Sequence, residues 1–388
     1  MSAWIVDGVR TPRGRGREGG ELSSIPPVKL LSDLLSTLRA RTGHGSVDDV
    51  VIGCAMPTAE QGTCVARMAA LLAEIESGGT TVSRFCASGL DAIATAAARV
   101  EGRMESQIVA GGVESLSRVP MFSDRGPWSF DPEVAEATGF IHMAVAADLL
   151  ASRASIPREA LDAYAVESHR RAARARDDGA FDRSLTPTAG LAADALIRDG
   201  LTMDDLSARP GAFGELLDDD ARRRIARRYP DVTVEARHHA RSAPGLADGA
   251  AALLLADDAA LEALGHAPRG RVIAWAHAAV EPTLMLHGNV AATELALARA
   301  GLAVSDIDLF EVNESFAAVP LHFAAELGVP LERLNVHGGA IAMGHPLGAT
   351  GGVLTLTALD ALERWGERRA VVSICGGAGV ATALILER

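Results

Sequence analysis

One plan is stated twice along this chain, and nothing else in the sequence constrains the fold as strongly. In the first half, a helical stretch over residues 27–41 leads to SVDDVVIGCAMP, an acidic pair followed by a strand pattern. In the second half, ATELALARAGL leads to SDIDLFEVNES, again helix, acidic turn and strand. The next segments match as well. CASGLDAIATAAARVEGRMESQIVAGGVES reads as tight turn, long helix, charged turn, buried strand and glycine pair, and GATGGVLTLTALDALERWGERRAVVSICGGAGVA repeats that order near the C-terminus. Apolar strands alternating with helices predict mostly parallel sheets, and two similar units predict a duplicated α/β/α core. Chance similarity between two ordinary strand–helix–strand units is the bland alternative. Four elements in one order, with Gly-Gly closing both, favour duplication.

Between the halves, roughly residues 119–244 are richer in Arg, Asp, Pro and Trp, which predicts an inserted loop domain with several helices. The apolar run LADGAAALLLA then reads as a buried strand rejoining the first core. A first domain over 1–264 carries this insertion. The GHAPRG linker at 265–270 precedes a second domain over 271–388. A formal net charge of −13 argues against nucleic acid as a partner, since phosphate binding needs a positive footprint. The arginine run Arg222, Arg223, Arg224, Arg227 and Arg228 reads as a solvated helix face. The opening MSAWIVDGVR lacks the pattern of a secretory signal, and no apolar run looks long enough to span a bilayer. The expectation is a cytoplasmic protein with reduced cysteines, each a small core residue or a reactive thiol.

Four motifs carry chemistry. In SRFCASGLDAIATAAARV, Cys86 follows a strand-like run and precedes small residues that permit a sharp turn into an Ala-rich helix. A cysteine at a helix N-terminus feels the dipole and free N–H groups, which draw its pKa from about 8.5 into roughly the 3.5–7.5 range. The competing reading is a buried core cysteine. In NVHGGAIAMGHPLGATGG, His345 lies in a glycine-dense loop leading into a helix, suited to exchanging a proton or donating to an oxyanion, or else a turn histidine bonded for structure. In VVSICGGAGVATALIL, Cys375 ends a strand before a turn whose N–H groups form a nest for an anion, and its bland reading is again a core cysteine. In DLFEVNESFAAV, Asn313 follows a strand, where its amide would hold a water or simply make a turn.

Taken together these motifs resemble the thiolase family over nearly the whole chain. IVDGVRTPRGR resembles the family's opening strand and turn, CASGL its nucleophile motif, and GGVESLS the strand after it. NESFA resembles NEAFA, GGAIAMGHPLGATG the GHP motif, and CGGAGVA the final CxGxG motif. The resemblance implies a thiolase-like fold of two similar halves in five αβαβα layers, with an inserted loop domain. It implies that Cys86 carries the acyl group and that His345 activates it and serves an oxyanion hole with a water on Asn313. Cys375 would exchange the α-proton, and the N–H groups of Cys86 and Gly377 would form a second oxyanion hole. It further implies that His142 and Met143 lie beside the thioester, that Met285 and Phe316 line the acyl pocket, and that Arg209 lies near the nucleotide phosphate. Coenzyme A and acyl-CoA enter as substrates, with no permanently bound cofactor and no metal. A homodimer or homotetramer is expected by the same resemblance.

The sequence departs from the family at HARSAPG, where Pro244 replaces a serine whose hydroxyl helps to hold the pantetheine arm; proline offers neither hydroxyl nor N–H. The segment between GGVESLS and the HMA stretch is also short. His238, His239 and Arg241 would either compensate or lie on the surface. Two alternatives stand beside a thiolase. A condensing enzyme using a carrier protein pairs one Cys with two His, or with His and Asn, and Cys375 argues against it. A non-catalytic acyl-CoA or lipid-binding homologue would have lost Cys86, His345 or Cys375, and all three are present.

Overall fold

The computed structural model describes residues 2–388. Its first half runs β1 (Ala3–Arg10), a two-residue strand β2 (Gly14–Arg15), α1 (Pro27–Thr42), β3 (Asp49–Gly53), α2 (Val65–Leu72), β4 (Thr80–Val82), α3 (Ser88–Glu101) and β5 (Gln107–Ser115). Six helices follow without adding to the sheet: α4 (Pro127–Phe130), α5 (Pro132–Thr138), α6 (Met143–Arg153), α7 (Arg158–Asp177), α8 (Asp204–Ser207) and α9 (Asp219–Arg228). Then come β6 (Ala247–Ala256) and α10 (Asp258–Leu264). The second half runs β7 (Gly270–Ala279), α11 (Gly288–Ala300), β8 (Leu309–Val312), α12 (Ala318–Leu327), α13 (Ala340–Met343), α14 (Leu347–Trp365), β9 (Arg369–Cys375) and β10 (Val380–Glu387).

The pairings make the duplication explicit. In the first half β1 pairs antiparallel with β6, β6 antiparallel with β5, and β5 parallel with β3, which pairs parallel with β4. In the second, β7 pairs antiparallel with β10, β10 antiparallel with β9, and β9 parallel with β8, beside which Leu334 forms a parallel bridge. The two half-sheets meet only through Ala3–Ile5 of β1 against Gly270–Val272 of β7. Helices α3 and α14 pack on each other and on strands of both halves, forming the middle of five layers. Helices α1 and α2 cover the first half-sheet, and α11 covers the second.

Local chemistry explains the outer and inner helices differently. Helix α1 starts with Pro27 in its first turn and stops at Gly43, whose φ of 65° is the left-handed cap that glycine supplies most easily. It buries Leu30, Leu31, Leu34, Leu35 and Leu38, one face of a 3.6-residue repeat. Helix α14 is buried on every side from Leu347 to Leu362. Its first turns are Gly-rich because backbone must pass backbone there. A methyl group on Gly351 would sit 2.0 Å from the Leu90 N of α3, and one on Gly89 would sit 2.4 Å from the Gly348 O.

The arginines of the opening VRTPRGR segment are structural. Arg10 and Arg13 are buried and both bind Asp194, from the chain between α7 and α8, at 3.0–3.1 Å. Arg13 also donates to the Gly344 carbonyl at 3.4 Å, beside His345. Burial alone would raise the Asp194 pKa, but Arg10 and Arg13 outweigh it and hold the carboxyl well below its usual range. Of the arginines of α9, Arg222, Arg223 and Arg227 are exposed as read from the sequence but Arg224 is buried, and Arg223, Arg224 and Arg227 converge on Glu136, at 2.9, 3.1 and 3.0 Å.

One stretch bears on the expectation about bilayer-spanning runs. The stretch Pro132–Arg153 is long and apolar enough, at mean hydropathy 1.4, to cross a membrane by composition, yet 61% of that window is buried inside the protein. It is also broken at Gly139, with φ 70°, into α5 and α6. Short apolar residues spread over two helices and a turn hid this run from a search for one uninterrupted apolar segment.

Replacing Asp194 with Ala leaves two buried guanidinium groups without their shared carboxylate. The expected loss is about 3–5 kcal/mol of stability, read as a lower urea midpoint. Because the Asp194 pKa is depressed on folding, its contribution is present above the unfolded carboxylate pKa and fades as pH falls below it. An unchanged midpoint in Asp194→Ala would show that the cluster does not hold the opening segment in place.

Candidate active site

Strand β4 ends at Val82, and the chain turns through residues 84–87 into α3. Phe85 holds φ 50°, a left-handed conformation that costs a non-glycine residue roughly 1–3 kcal/mol. The turn is closed by Ala87 N–H to Arg84 O at 3.0 Å and Ser88 N–H to Phe85 O at 3.1 Å. The Ser88 hydroxyl accepts from Arg84 N–H at 2.8 Å and donates to Phe85 O at 2.5 Å. This elbow stands Cys86 at the head of α3 with 8% of its surface exposed.

His345 reaches the same place from the other half. It follows Gly344, whose φ is 98°, and its N–H donates to Gly245 O at 2.8 Å. Its Nδ1 bonds Thr350 Oγ1 at 2.7 Å, one turn into α14, leaving Nε2 buried without a partner. The buried Glu114 at the end of β5 braces this loop. It accepts from the Gly348 N–H at 2.8 Å and the Ala55 N–H at 2.8 Å, tying the head of α14 to the first half. Cys375 closes β9. Its Sγ lies 3.6 Å from Ser315 Oγ, which accepts from Asn313 Nδ2 at 2.8 Å. The Asn313 Oδ1 is buried and unpartnered.

Cys86, His345, Cys375 and Ser315 all line one narrow cleft of about 90 Å³, together with His142 and Phe316. A larger room of about 360 Å³ adjoins it, and the two share Cys86, Met121, Met143 and Leu347. Gly377 lines the larger room. Among the described residues, neither the Cys86 nor the Gly377 N–H donates a backbone hydrogen bond.

The cleft is buried and mostly apolar, and its charges follow. Burial, with Cys375 and Glu114 adding to it, pushes the Cys86 thiol up to about 12. Burial raises Cys375 to about 11, against the opposing hydrogen bond from Ser315. Burial and the nearby Arg13 depress His345 to about 3. At neutral pH the site therefore holds two thiols and one neutral imidazole. Burial and the two neighbouring acidic groups, Cys375 and Glu114, thus act in the opposite direction to the downward shift expected for a cysteine at the head of α3. A neutral imidazole with a free Nε2 can take a proton from a thiol, and a second thiol can give or take one beside it.

The other sequence-derived residues divide. His142 and Met143 line the cleft, and His142 also caps α6, its Nδ1 accepting from Ala144 N–H at 3.2 Å. Met285 does not line it. It is fully buried in a core cluster of the second half, and the next residue, Leu286, lines the cleft. Pro244 lines the cleft as its departure from the family suggested. His238 and His239 neither compensate for it nor face solvent. Both are buried, bonded to Asp148 at 2.7 Å and to Asp162 at 2.9 Å. Arg209 is exposed and donates to the Asp205 O at 3.0 Å. It belongs to a cationic group: burial and the charges of Arg241, Arg209 and Arg15 lower the pKa of Arg198. Arg241 lies three residues from Pro244 along the chain, whose net charge is strongly negative. Ser315, Leu286 and the wall residues Phe85 and Trp128 were not singled out from the sequence. Ser315 alone left a signal there, as the serine in NESFA where the family has alanine.

Comparison with known proteins agrees over the full length. Residues 3–216 match the family described as thiolase, N-terminal domain, and residues 266–388 the one described as thiolase, C-terminal domain. The chain is 37% identical over 421 residues to the 3-oxoadipyl-CoA/3-oxo-5,6-dehydrosuberyl-CoA thiolase of Escherichia coli (strain K12), covering 100% of this chain and 99% of that one. It is 37% identical over 405 residues to a 3-ketoacyl-CoA thiolase of Pectobacterium carotovorum, covering 99% and 98% of the two chains. A 3-ketoacyl-CoA thiolase of Bacillus subtilis (strain 168) is 35% identical over 395 residues, covering 99% of each.

The Ser315 hydroxyl is the group that opposes burial at Cys375. Ser315→Ala should raise the Cys375 pKa and so reduce its thiolate fraction. In a Cys86→Ala background, alkylation of the Cys375 peptide by iodoacetamide at about pH 9 should slow by up to about tenfold, one unit of pKa. Equal alkylation rates with and without the hydroxyl would remove this role.

Proposed function

The chain belongs to the thiolase family, and on that premise we propose that it makes or breaks the carbon–carbon bond of 3-ketoacyl thioesters of coenzyme A, with the acyl group carried on Cys86. The observation that carries the reading is the meeting of two thiols, from different halves of the chain, with the unpartnered Nε2 of His345 at one cleft.

In the cleavage direction, His345 Nε2 takes the Cys86 proton as the sulfur attacks the keto carbon of the substrate. The bond between the keto carbon and the α-carbon breaks. Its electron pair goes to the α-carbon, which takes a proton from Cys375 and leaves as acetyl-CoA. The thiol of a second coenzyme A then gives its proton to the Cys375 thiolate as its sulfur attacks the acyl-Cys86 carbonyl, and Cys86 departs with the proton returned by His345. Condensation is the same path reversed, with Cys375 removing the α-proton. Each direction develops negative oxygen twice. The His345 side chain and a water on Asn313 would serve one oxyanion, and the N–H groups of Cys86 and Gly377 the other, each well-placed donor contributing about 3 kcal/mol. A resting site of neutral groups suits this chemistry, because each proton moves only when a partner is ready for it.

Coenzyme A would enter past His142, Met143 and Phe316. The arginines Arg198, Arg209 and Arg241 would face its phosphates, which would relieve their mutual repulsion. Pro244 replaces a hydroxyl on that path, so the pantetheine arm relies on its remaining contacts. We assign residues 1–264, with an insertion at about 119–244, and 271–388 as the two domains, and we place the protein in the cytoplasm. A homodimer or homotetramer is supported by the open edge of β4 and by Leu71 and Leu72 of the adjoining α2, which are 49% and 57% exposed.

Mass spectrometry of the enzyme mixed with acetyl-CoA tests the assignment. One acetyl group should appear on the peptide containing Cys86. Cys86→Ala should abolish turnover in both directions. Cys375→Ala should still take the acetyl group but fail to condense, and normal condensation by that variant would sink its role as the proton-transfer group.

A further inference from the structure

The room beyond Cys86 carries more information than the catalytic cleft, because its walls can discriminate between substrates. We propose that it seats the acyl tail and selects an uncharged apolar tail over both an acetyl-sized one and one ending in a carboxylate. The proposal rests on the reading of the site as that of a thiolase and adds the substrate class.

Three observations support it. The first is position. The room and the cleft share Cys86, so an acyl group bonded to that sulfur has the room in front of it. The second is size. At about 360 Å³ it has space for on the order of ten groups the size of a water molecule, far more than an acetyl group fills. The third is chemistry. Met56, Met121, Phe122, Phe85, Trp128 and Val134 line it, and no Lys, Arg or His does. The sole charged lining residue is Asp124, which carries the wrong sign for a carboxylate.

The walls also differ in stiffness. Phe85 meets Trp128 edge to face at 5.2 Å, and Trp128 meets Phe140 at 4.8 Å, so one side is a locked aromatic stack. The lining also includes Met56, Met121 and Met143, whose unbranched thioethers adapt to irregular shapes. A straight or branched alkyl tail can be buried there. A terminal carboxylate would lose its hydration against apolar walls and face only a like charge.

Thiolysis by the full-length enzyme of three substrates separates the possibilities: acetoacetyl-CoA, 3-ketohexanoyl-CoA and 3-oxoadipyl-CoA, the last matching the second carbon for carbon but ending in a carboxylate. Each methylene buried is worth about fourfold. The expected kcat/KM for 3-ketohexanoyl-CoA therefore exceeds that for acetoacetyl-CoA by at least about tenfold, and that for 3-oxoadipyl-CoA by at least as much. Val134→Trp, which fills the room, should cut the ratio of 3-ketohexanoyl-CoA to acetoacetyl-CoA by at least about tenfold. A ratio measured within one preparation does not depend on how much of it is folded, and Thr138→Phe reads the same ratio should Val134→Trp not accumulate. Equal or better use of 3-oxoadipyl-CoA, or a ratio that neither variant moves, overturns the proposal while leaving the reaction standing. Failure to cleave all three overturns the reaction and this inference together.

Discussion

The site exists because two helix N-termini from opposite halves of a duplicated chain touch backbone to backbone. Gly89 of α3 faces the Gly348 carbonyl, and Gly351 of α14 faces the Leu90 amide, at separations that leave no room for a methyl group. Everything catalytic hangs on this contact. Cys86 precedes α3 and His345 precedes α14, so the distance between the heads of the helices sets the distance between thiol and imidazole. Glu114 then fixes the angle by holding the Gly348 and Ala55 amides together from the end of β5. A side chain at any of these glycines would separate the halves before it disturbed a single reacting atom.

That same closeness determines the electrostatics. Packing two halves tightly around a small cleft buries its ionisable groups, and burial favours the neutral forms of Cys86, His345 and Cys375. The protein thus keeps no ready-made nucleophile. It keeps a neutral acid, Cys86, facing a neutral base, His345, with Thr350 fixing the ring from behind. Charge then appears only while substrate is present to share it, which limits alkylation or oxidation of an idle sulfur.

Much of this was legible in the sequence, and the remainder was hidden for identifiable reasons. The duplication could be read because both halves must satisfy the same pairing rules, so their helix and strand patterns recur. Cys86, His345, Cys375 and Asn313 could be read because each sits in a motif whose glycines or small residues mark a turn. Met285 could not be placed correctly: one residue of register decides that Leu286 and not Met285 reaches the cleft. The Arg10–Asp194 and His238–Asp148 pairs bridge residues far apart in the chain, and no local periodicity reports such partners. Trp128 and Phe140 of the aromatic wall lie in the insertion, where irregular segments carry no repeat from which a facing direction could be inferred.

The loop after Cys375 has a further consequence. A methyl group on Gly377 would meet the Trp128 ring at 2.9 Å, so the indole rests directly on the turn that presents the Gly377 amide. One residue is therefore both wall and buttress. Evolution or engineering that recuts the proposed tail chamber by changing Trp128 will also shift the amide we assign to a transient negative oxygen. Breadth of substrate and speed of chemistry are coupled here, and a variant that accepts a bulkier tail will tend to do so at a slower turnover.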